Sequence, residues 1–206
     1  MPAKEVEDRS VLPRLLCLVS EDHDLALLPA LAEAGVDAFE VRAKASTDRE
    51  ALRLVEQVLD AARPRGAAVI VNDRVDLALA AGADGVHLGA DDLPATVARR
   101  LAPDLLLGVT CRDRAQVEAA AAAGADYAGF GPVYATTSKD GLPDPLGPGA
   151  VSHAAGVLPL IAIGGVSAAT ARGLRDAGAH GVAVIGAIWQ PPDPVSAAKE
   201  LAAALA

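Results

Sequence analysis

The stretch VIVNDRVDLALAAGADGVHLGADDLP, residues 69–94, runs two short apolar segments straight into polar ones: residues 69–71 into Asn72 and Asp73, residues 85–88 into Asp91 and Asp92. The same habit recurs along the chain. One apolar run closes with Glu40, Arg42 and Lys44, another with Thr110, and GPVYATTSKDG carries Thr136, Thr137, Ser138 and Lys139. Two further runs end in bare backbone, IGGV and VIGA, around Gly164, Gly165, Ile185 and Gly186. Brought together, paired carboxylates beside Arg and Lys suit a metal-bridged polyphosphate: hard carboxylate oxygens hold Mg²⁺ while the cations take phosphate oxygens. Glycine backbone N–H groups suit a separate phosphate monoester, because no Cβ keeps the anion away. A plain salt-bridge cluster is the competing reading of the charged residues, and tight turns that of the glycines.

Other reactive residue types carry less. His87 sits inside an apolar run and reads as a hydrogen-bonded core residue rather than a base, and His23, His153 and His180 stand in no motif. Cys111 follows Thr110 closely enough to line the same mouth, yet no His lies near it in sequence to activate a thiolate. Cys17, within an apolar run, reads as a small buried hydrophobe. No nucleophile elbow, Walker loop or CxxC pair is present.

What must position these residues is written in a repeat. AGVDAFEVR (34–42), AGADGVHLG (81–89), AGADYAGFG (123–131) and AGAHGVAVIG (177–186) each end an Ala-rich helix at Gly, add a polar residue and begin a strand. Apolar runs at 15–19, 67–71, 105–109 and 158–163 lie between them, so the strands number eight. Helix-compatible stretches follow, among them 48–62, 75–81, 115–123 and 168–177. Eight strands alternating with helices, apolar on both faces, predict a closed parallel (β/α)8 TIM barrel rather than an open doubly wound sheet. In such a barrel the strand C-terminal ends form one mouth, which places all the polar residues above on the same face. Residues 1–206 read as a single domain with 1–12 a flexible leading segment. GLPDPLGPG (141–149) reads as part of a long loop after strand six, whose Gly and Pro content and Lys139 suit a closing lid.

Composition narrows the ligand. Hydrophobic residues make up 52% of the chain but aromatics only 2%, so no stacking platform for bases or sugars is expected. A net charge of −9 disfavours nucleic acid and anionic membranes as partners and leaves phosphorylated small molecules held by locally gathered cations. Two cysteines make neither a disulfide framework nor a zinc site. The start, MPAKEVEDRS, lacks an apolar signal region, and no run of about 18 apolar residues occurs, so a cytoplasmic protein is expected. A homo-oligomer is compatible with all of this.

VRAK, VNDRVDLALAAGADGVHLGADDLP, GADYAGFGPVYATTSKDG and IAIGGV, in this order and spacing, resemble the thiamine-phosphate synthase family over nearly the whole chain, from about residue 15 to 188. That family joins an aminopyrimidine methyl diphosphate to a thiazole phosphate, releasing diphosphate. The resemblance implies that Arg42, Lys44, Asn72 and Lys139 contact the diphosphate, that Asp73 and Asp92 carry Mg²⁺, and that Thr110 stands at the family's usual Ser. It further implies that Thr136, Ser138 and Gly165 take the thiazole phosphate. One departure matters: the family usually has Gln where this chain has Glu40, and a carboxylate cannot donate to a ring nitrogen unless protonated. The related thiazole tautomerases carry a proton-transferring His where this chain has Arg112. A generic phosphosugar epimerase or aldolase would need a base or Schiff-base Lys inside the barrel, whereas Lys44 and Lys139 lie beyond their strands. A non-catalytic sensor of thiamine intermediates is the reading from another class; it would bind both ligands and release no diphosphate.

Overall fold

Eight short parallel strands pair in sequence order and close on themselves: β1 (Leu15–Val19), β2 (Ala38–Val41), β3 (Ala68–Asn72), β4 (Gly85–Leu88), β5 (Leu106–Cys111), β6 (Tyr127–Phe130), β7 (Leu160–Ile163) and β8 (Gly181–Val184). The computed structural model describes residues 12–136, 141 and 143–206. The expectations for 1–11, for Ser138 and Lys139, and for the closing lid built around them lie outside those residues. Helices α1 (Leu28–Glu33), α2 (Asp48–Ala62), α3 (Val75–Ala81), α4 (Ala95–Leu101), α5 (Arg114–Ala122), α6 (Pro148–Ala154) and α7 (Ala168–Asp176) return the chain between strands; α8 (Gly186–Trp189) and α9 (Pro194–Leu205) follow β8. The expected barrel is the observed one. Strand seven starts at Leu160 rather than at 158, just after Pro159, which has no N–H to offer a ladder.

Because helices cover the outside and side chains fill the inside, both faces of each strand are dry, and each strand reads as an unbroken apolar run. Outward positions such as Cys17, Phe39, Val69, Leu107 and Phe130 pack under the helices in one large cluster. Inward positions make a second, smaller core from Leu16, Leu18, Ala38, Ile70, Tyr127, Ile161 and Ala183. Each fully buried Leu or Ile is worth about 1.5–3 kcal/mol. With only a few aromatics available, the stability of this barrel is spread over many small aliphatic contacts.

The polar residue of each repeat has a structural task at the opposite end from the mouth. Asp37 accepts from the Arg14 and Leu15 N–H groups at 2.9 and 3.0 Å, Asp84 from Val69 N at 2.9 Å, and Asp126 from Leu107 N at 2.7 Å. His180 Nε2 lies 3.0 Å from the Leu12 carbonyl. The three aspartates thus tie the entries of β2, β4 and β6 to the strand before each, while His180 ties the entry of β8 to the segment leading into β1. Gly35, Gly82, Gly124 and Gly178 before them have positive φ, the left-handed turn that ends each helix.

Candidate active site

The C-terminal mouth opens on a cavity of about 1160 Å³ that reaches from β2–β3 across to β7–β8. Its walls include Glu40, Arg42, Asn72, Thr110, Thr136, Gly164, Gly165, Ile185 and Gly186 among the expected residues, and His87 and Tyr127 besides. Lys44, Asp73 and Asp92 are not wall residues; they stand beyond the ends of β2, β3 and β4.

Three of the expected residues lie on strands rather than after them. Glu40 is within β2, Asn72 ends β3, and Thr110 is inside β5, which runs on to Cys111. Parity then decides direction: Thr110 points in, so its neighbour Cys111 points out, 1% exposed and packed in the outer core. Cys111 therefore does not line the mouth, and burial pushes its thiol up to about 11, with Asp113 adding to the shift. Cys17 is buried as expected.

Asp73 and Asp92 are brought together. Asp73 holds φ at 65°, a left-handed conformation that Asp tolerates better than most residues, while its N–H donates to the His87 carbonyl at 2.7 Å. Lys44 Nζ forms an ion pair with Asp73 Oδ2. Asp92 Oδ2 accepts from Gly89 N–H at 2.7 Å, turning the carboxyl back over the end of β4. The two carboxyls lie near enough to act on one another, and their acidities split. Burial raises Asp92 and the Asp73 carboxyl raises it further. Burial pushes Asp73 the same way, but the neighbouring Asp92 carboxyl and the Lys44 ammonium outweigh it and leave Asp73 below its ordinary value. Two like charges pressed together behave in this way until a cation or proton comes between them. Among the described residues no cluster of three or more His, Cys, Asp or Glu could hold an ion. Two hard oxygens fit Mg²⁺ nonetheless, since it is commonly held by one or two carboxylates with water and substrate phosphate completing its shell.

At the cavity floor His87 joins two other side chains: Nδ1 lies 3.2 Å from the Tyr127 hydroxyl and Nε2 3.0 Å from Thr110 Oγ1. The reading of His87 as hydrogen-bonded was correct, but it is also a wall of the cavity. Glycines make room for the ring. A Cβ at Gly108 would stand 2.1 Å from Tyr127 Cζ and 2.5 Å from His87 Nδ1, and one at Gly129 would stand 2.5 Å from His87 Cε1. Tyr127, Gly108 and Gly129 were missed from sequence. Their signal was the period of two along β4, β5 and β6, which places 87, 108, 110, 127 and 129 on one inward face.

Across the cavity, Gly164 and Gly165 have φ of 94° and 64°. A Cβ on Gly165 would come within 2.3 Å of the Ala135 carbonyl oxygen, and one on Gly164 within 2.5 Å of Pro132 Cβ. Both glycines thus let the loop after β6 lie on the loop after β7, where Val133 N and Tyr134 N donate to the carbonyls of Ile163 and Gly164 at 2.8 and 3.0 Å. Arg112 holds that loop at both ends, donating to the Gly131 carbonyl at 3.4 Å and the Asp144 carbonyl at 3.0 Å.

A parallel barrel with carboxylates, cations and a deep cavity at its C-terminal mouth defines a class, the (β/α)8-barrel proteins equipped for phosphorylated ligands. Comparison makes it particular. The sequence model of the family described as thiamine monophosphate synthase matches residues 11–188. A thiamine-phosphate synthase from Chlorobium phaeovibrioides is 44% identical over 193 residues, covering 91% of this chain and 92% of its own. A thiamine biosynthesis bifunctional protein from Symbiobacterium thermophilum is 45% identical over 190 residues, covering 91% of this chain, which spans only 40% of that longer protein. The solved structure of a thiamine phosphate pyrophosphorylase from Pyrococcus furiosus superposes with a TM-score of 0.85 at 30% identity, over 93% of this chain and 95% of its own. The chain belongs to the thiamine monophosphate synthase family.

Proposed function

We propose that this chain is a thiamine-phosphate synthase, a transferase that condenses an aminopyrimidine methyl diphosphate with a thiazole phosphate to give thiamine phosphate and diphosphate. The observation that carries the reading is the layout of the mouth: Asp73 and Asp92 stand just beyond β3 and β4, Arg42 and Asn72 line the near side of the cavity, and the glycine backbone of Gly164, Gly165 and Gly186 lines the far side. One end suits a diphosphate and its metal, the other a monoester.

In this reading Asp73 and Asp92 hold Mg²⁺, which when bound neutralises charge on the diphosphate. Arg42 makes no ion pair among the described residues and lines the cavity, so its guanidinium is available to diphosphate oxygens; Lys44 and Asn72 flank it, and Lys139 is assigned to the same task from the sequence resemblance. Thr136, Ser138, Gly164, Gly165, Ile185 and Gly186 take the thiazole phosphate. Glu40, with His87 and Thr110, faces the pyrimidine. The C–O bond to the methylene breaks with its electron pair leaving on diphosphate, and the electron-rich ring carries the positive charge. The thiazole nitrogen lone pair then forms the C–N bond. No proton leaves that nitrogen, so the site needs no general base, and its work is electrostatic.

The tautomerase reading loses support at Arg112, whose guanidinium is spent on two backbone carbonyls of the loop after β6. No described helix is long and apolar enough to cross a membrane, and the cytoplasm is the proposed location. The test is incubation with both phosphorylated substrates and Mg²⁺, followed by mass detection of thiamine phosphate. Product that appears with Mg²⁺ and vanishes with a chelator is expected. Binding of both ligands without diphosphate release would make the protein a sensor instead.

A further inference from the structure

Glu40 is the one charged residue that is buried among those described, 4% exposed. It points inward from β2, level with Leu18 of β1 and Ile70 of β3, and forms part of the cavity wall. Its carboxyl makes no hydrogen bond or ion pair with any described residue. The charged and titratable groups around it are His87 on β4, Arg42 further along its own strand's exit, Asp73 beyond β3, and Tyr127 on β6; β1 offers only Leu18. None of them neutralises it. Both His87 nitrogens are already engaged, by Tyr127 and Thr110, and Arg42 does not pair with it.

We propose that Glu40 recognises the substrate ring as a neutral carboxylic acid, its O–H donating to a ring nitrogen and its C=O accepting from the adjacent amino group. This rests on the synthase reading above for the identity of the ring. An amino group beside a ring nitrogen presents a donor and an acceptor side by side, and a protonated carboxyl presents the complementary pair. An ionised carboxyl presents acceptors only and would meet the ring nitrogen lone pair to lone pair. Burial works in the direction the geometry needs. It raises the Glu40 carboxyl above its ordinary value, His87 and Arg42 oppose this, and Asp73 reinforces it. The neutral acid also leaves the amino lone pair free to feed the positive charge that develops on the methylene, where a carboxylate would draw a proton onto the ring.

The experiment compares Glu40→Gln, an amide with the same donor and acceptor permanently in place, with the wild type. Binding of the aminopyrimidine methyl diphosphate with Mg²⁺, without thiazole phosphate, is measured by calorimetry between about pH 6 and about pH 9. Titration of the ligand and of the metal-site acids is common to both proteins and cancels in the ratio of their Kd values. The ratio of wild-type Kd to variant Kd is expected to climb, approaching about tenfold per pH unit once Glu40 ionises. Glu40→Ala should bind more weakly than Glu40→Gln by a factor that does not vary with pH. A wild-type to Gln ratio that stays flat, or falls, overturns the proposal. So does aminopyrimidine diphosphate binding no tighter than inorganic diphosphate, since the ring would then go unread. A second readout needs no ligand: the infrared difference between wild type and Glu40→Gln at neutral pH should contain a protonated-carboxyl C=O stretch, and its absence overturns the proposal as well. If the ratio climbs but no thiamine phosphate forms, the synthase reading fails while the role of Glu40 stands.

Discussion

Asp73 and Asp92 stand beyond adjacent strands and pull each other's acidities apart, and that is where a single side chain should matter most. In the proposed site, Asp92→Ala would remove one of the two carboxylates that hold Mg²⁺ and leave the diphosphate undercompensated. Turnover is expected to fall by roughly a hundredfold or more, with circular dichroism unchanged because a mouth acid carries no packing. Near-normal turnover at ordinary Mg²⁺ would remove Asp92 from the metal site. Lys139→Ala should likewise cost on the order of 10²–10³ in kcat, with Lys139→Arg recovering only part, since a planar fork cannot sit where a point charge sits. An unchanged single-turnover rate in Lys139→Ala would take Lys139 out of the chemistry. Gly165 is a poorer probe of the monoester end than its sequence context suggests. Any Cβ there strikes the Ala135 carbonyl, so a substitution disturbs the loop before it reports on an anion.

At the scale of elements, the two ends of each strand do different work. Below the mouth, on the cavity floor, β4, β5 and β6 place His87, Thr110 and Tyr127 in contact only because Gly108 and Gly129 are bare. Gly108→Ala overpacks that layer and should cost about 1–3 kcal/mol of stability while displacing the His87 ring. Kinetically, KM for the pyrimidine diphosphate should rise more than KM for the thiazole phosphate; equal rises would deny the floor any part in pyrimidine binding. At the other end, Asp84→Ala orphans the Val69 N–H and breaks the Arg63 ion pair. Urea unfolding should show a loss of about 1–3 kcal/mol with kcat and KM unmoved, and a kinetic effect as large as the stability effect would contradict the division of labour between the two barrel ends.

The whole molecule answers to its ligands together. If Mg²⁺ and diphosphate fill one site, neither alone should stabilise the barrel as much as both. At about 100 times Kd the pair should add about 2.7 kcal/mol, which for a chain of this size raises Tm by roughly 5–10 °C. Asp92→Ala should abolish the extra shift from adding the two together. Additive shifts in the wild type would mean that metal and anion bind apart. Glu40 sets a pH dependence on the same quantity. Its acidity is lowered by folding, so between the ordinary carboxylate range and its raised value the folded chain holds a proton that the unfolded chain has lost. Stability contributed by that proton is complete below the ordinary range and is lost as pH rises through the raised value. The Tm advantage of Glu40→Gln over wild type should therefore grow with pH across that window.

Eight apolar runs, four of them opened by a Gly and a polar residue, determine the barrel from the sequence by itself, because strand count and the dryness of both strand faces are local properties. The acids and cations of the mouth were legible for the same reason: barrel topology sends every strand's C-terminal end to one face. Direction was not legible. Thr110 and Cys111 are neighbours in sequence, yet the strand boundary lies beyond both, so one lines the cavity and the other is sealed under helices. Nor could the chain alone say that Glu40 lacks a partner, that Gly108 and Gly129 exist to admit a His ring, or that Asp37, Asp84 and Asp126 bind backbone at the far end. Each depends on which neighbours the closed sheet brings within a few ångströms. Pairing between strands tens of residues apart decides that, and no window along the sequence contains it.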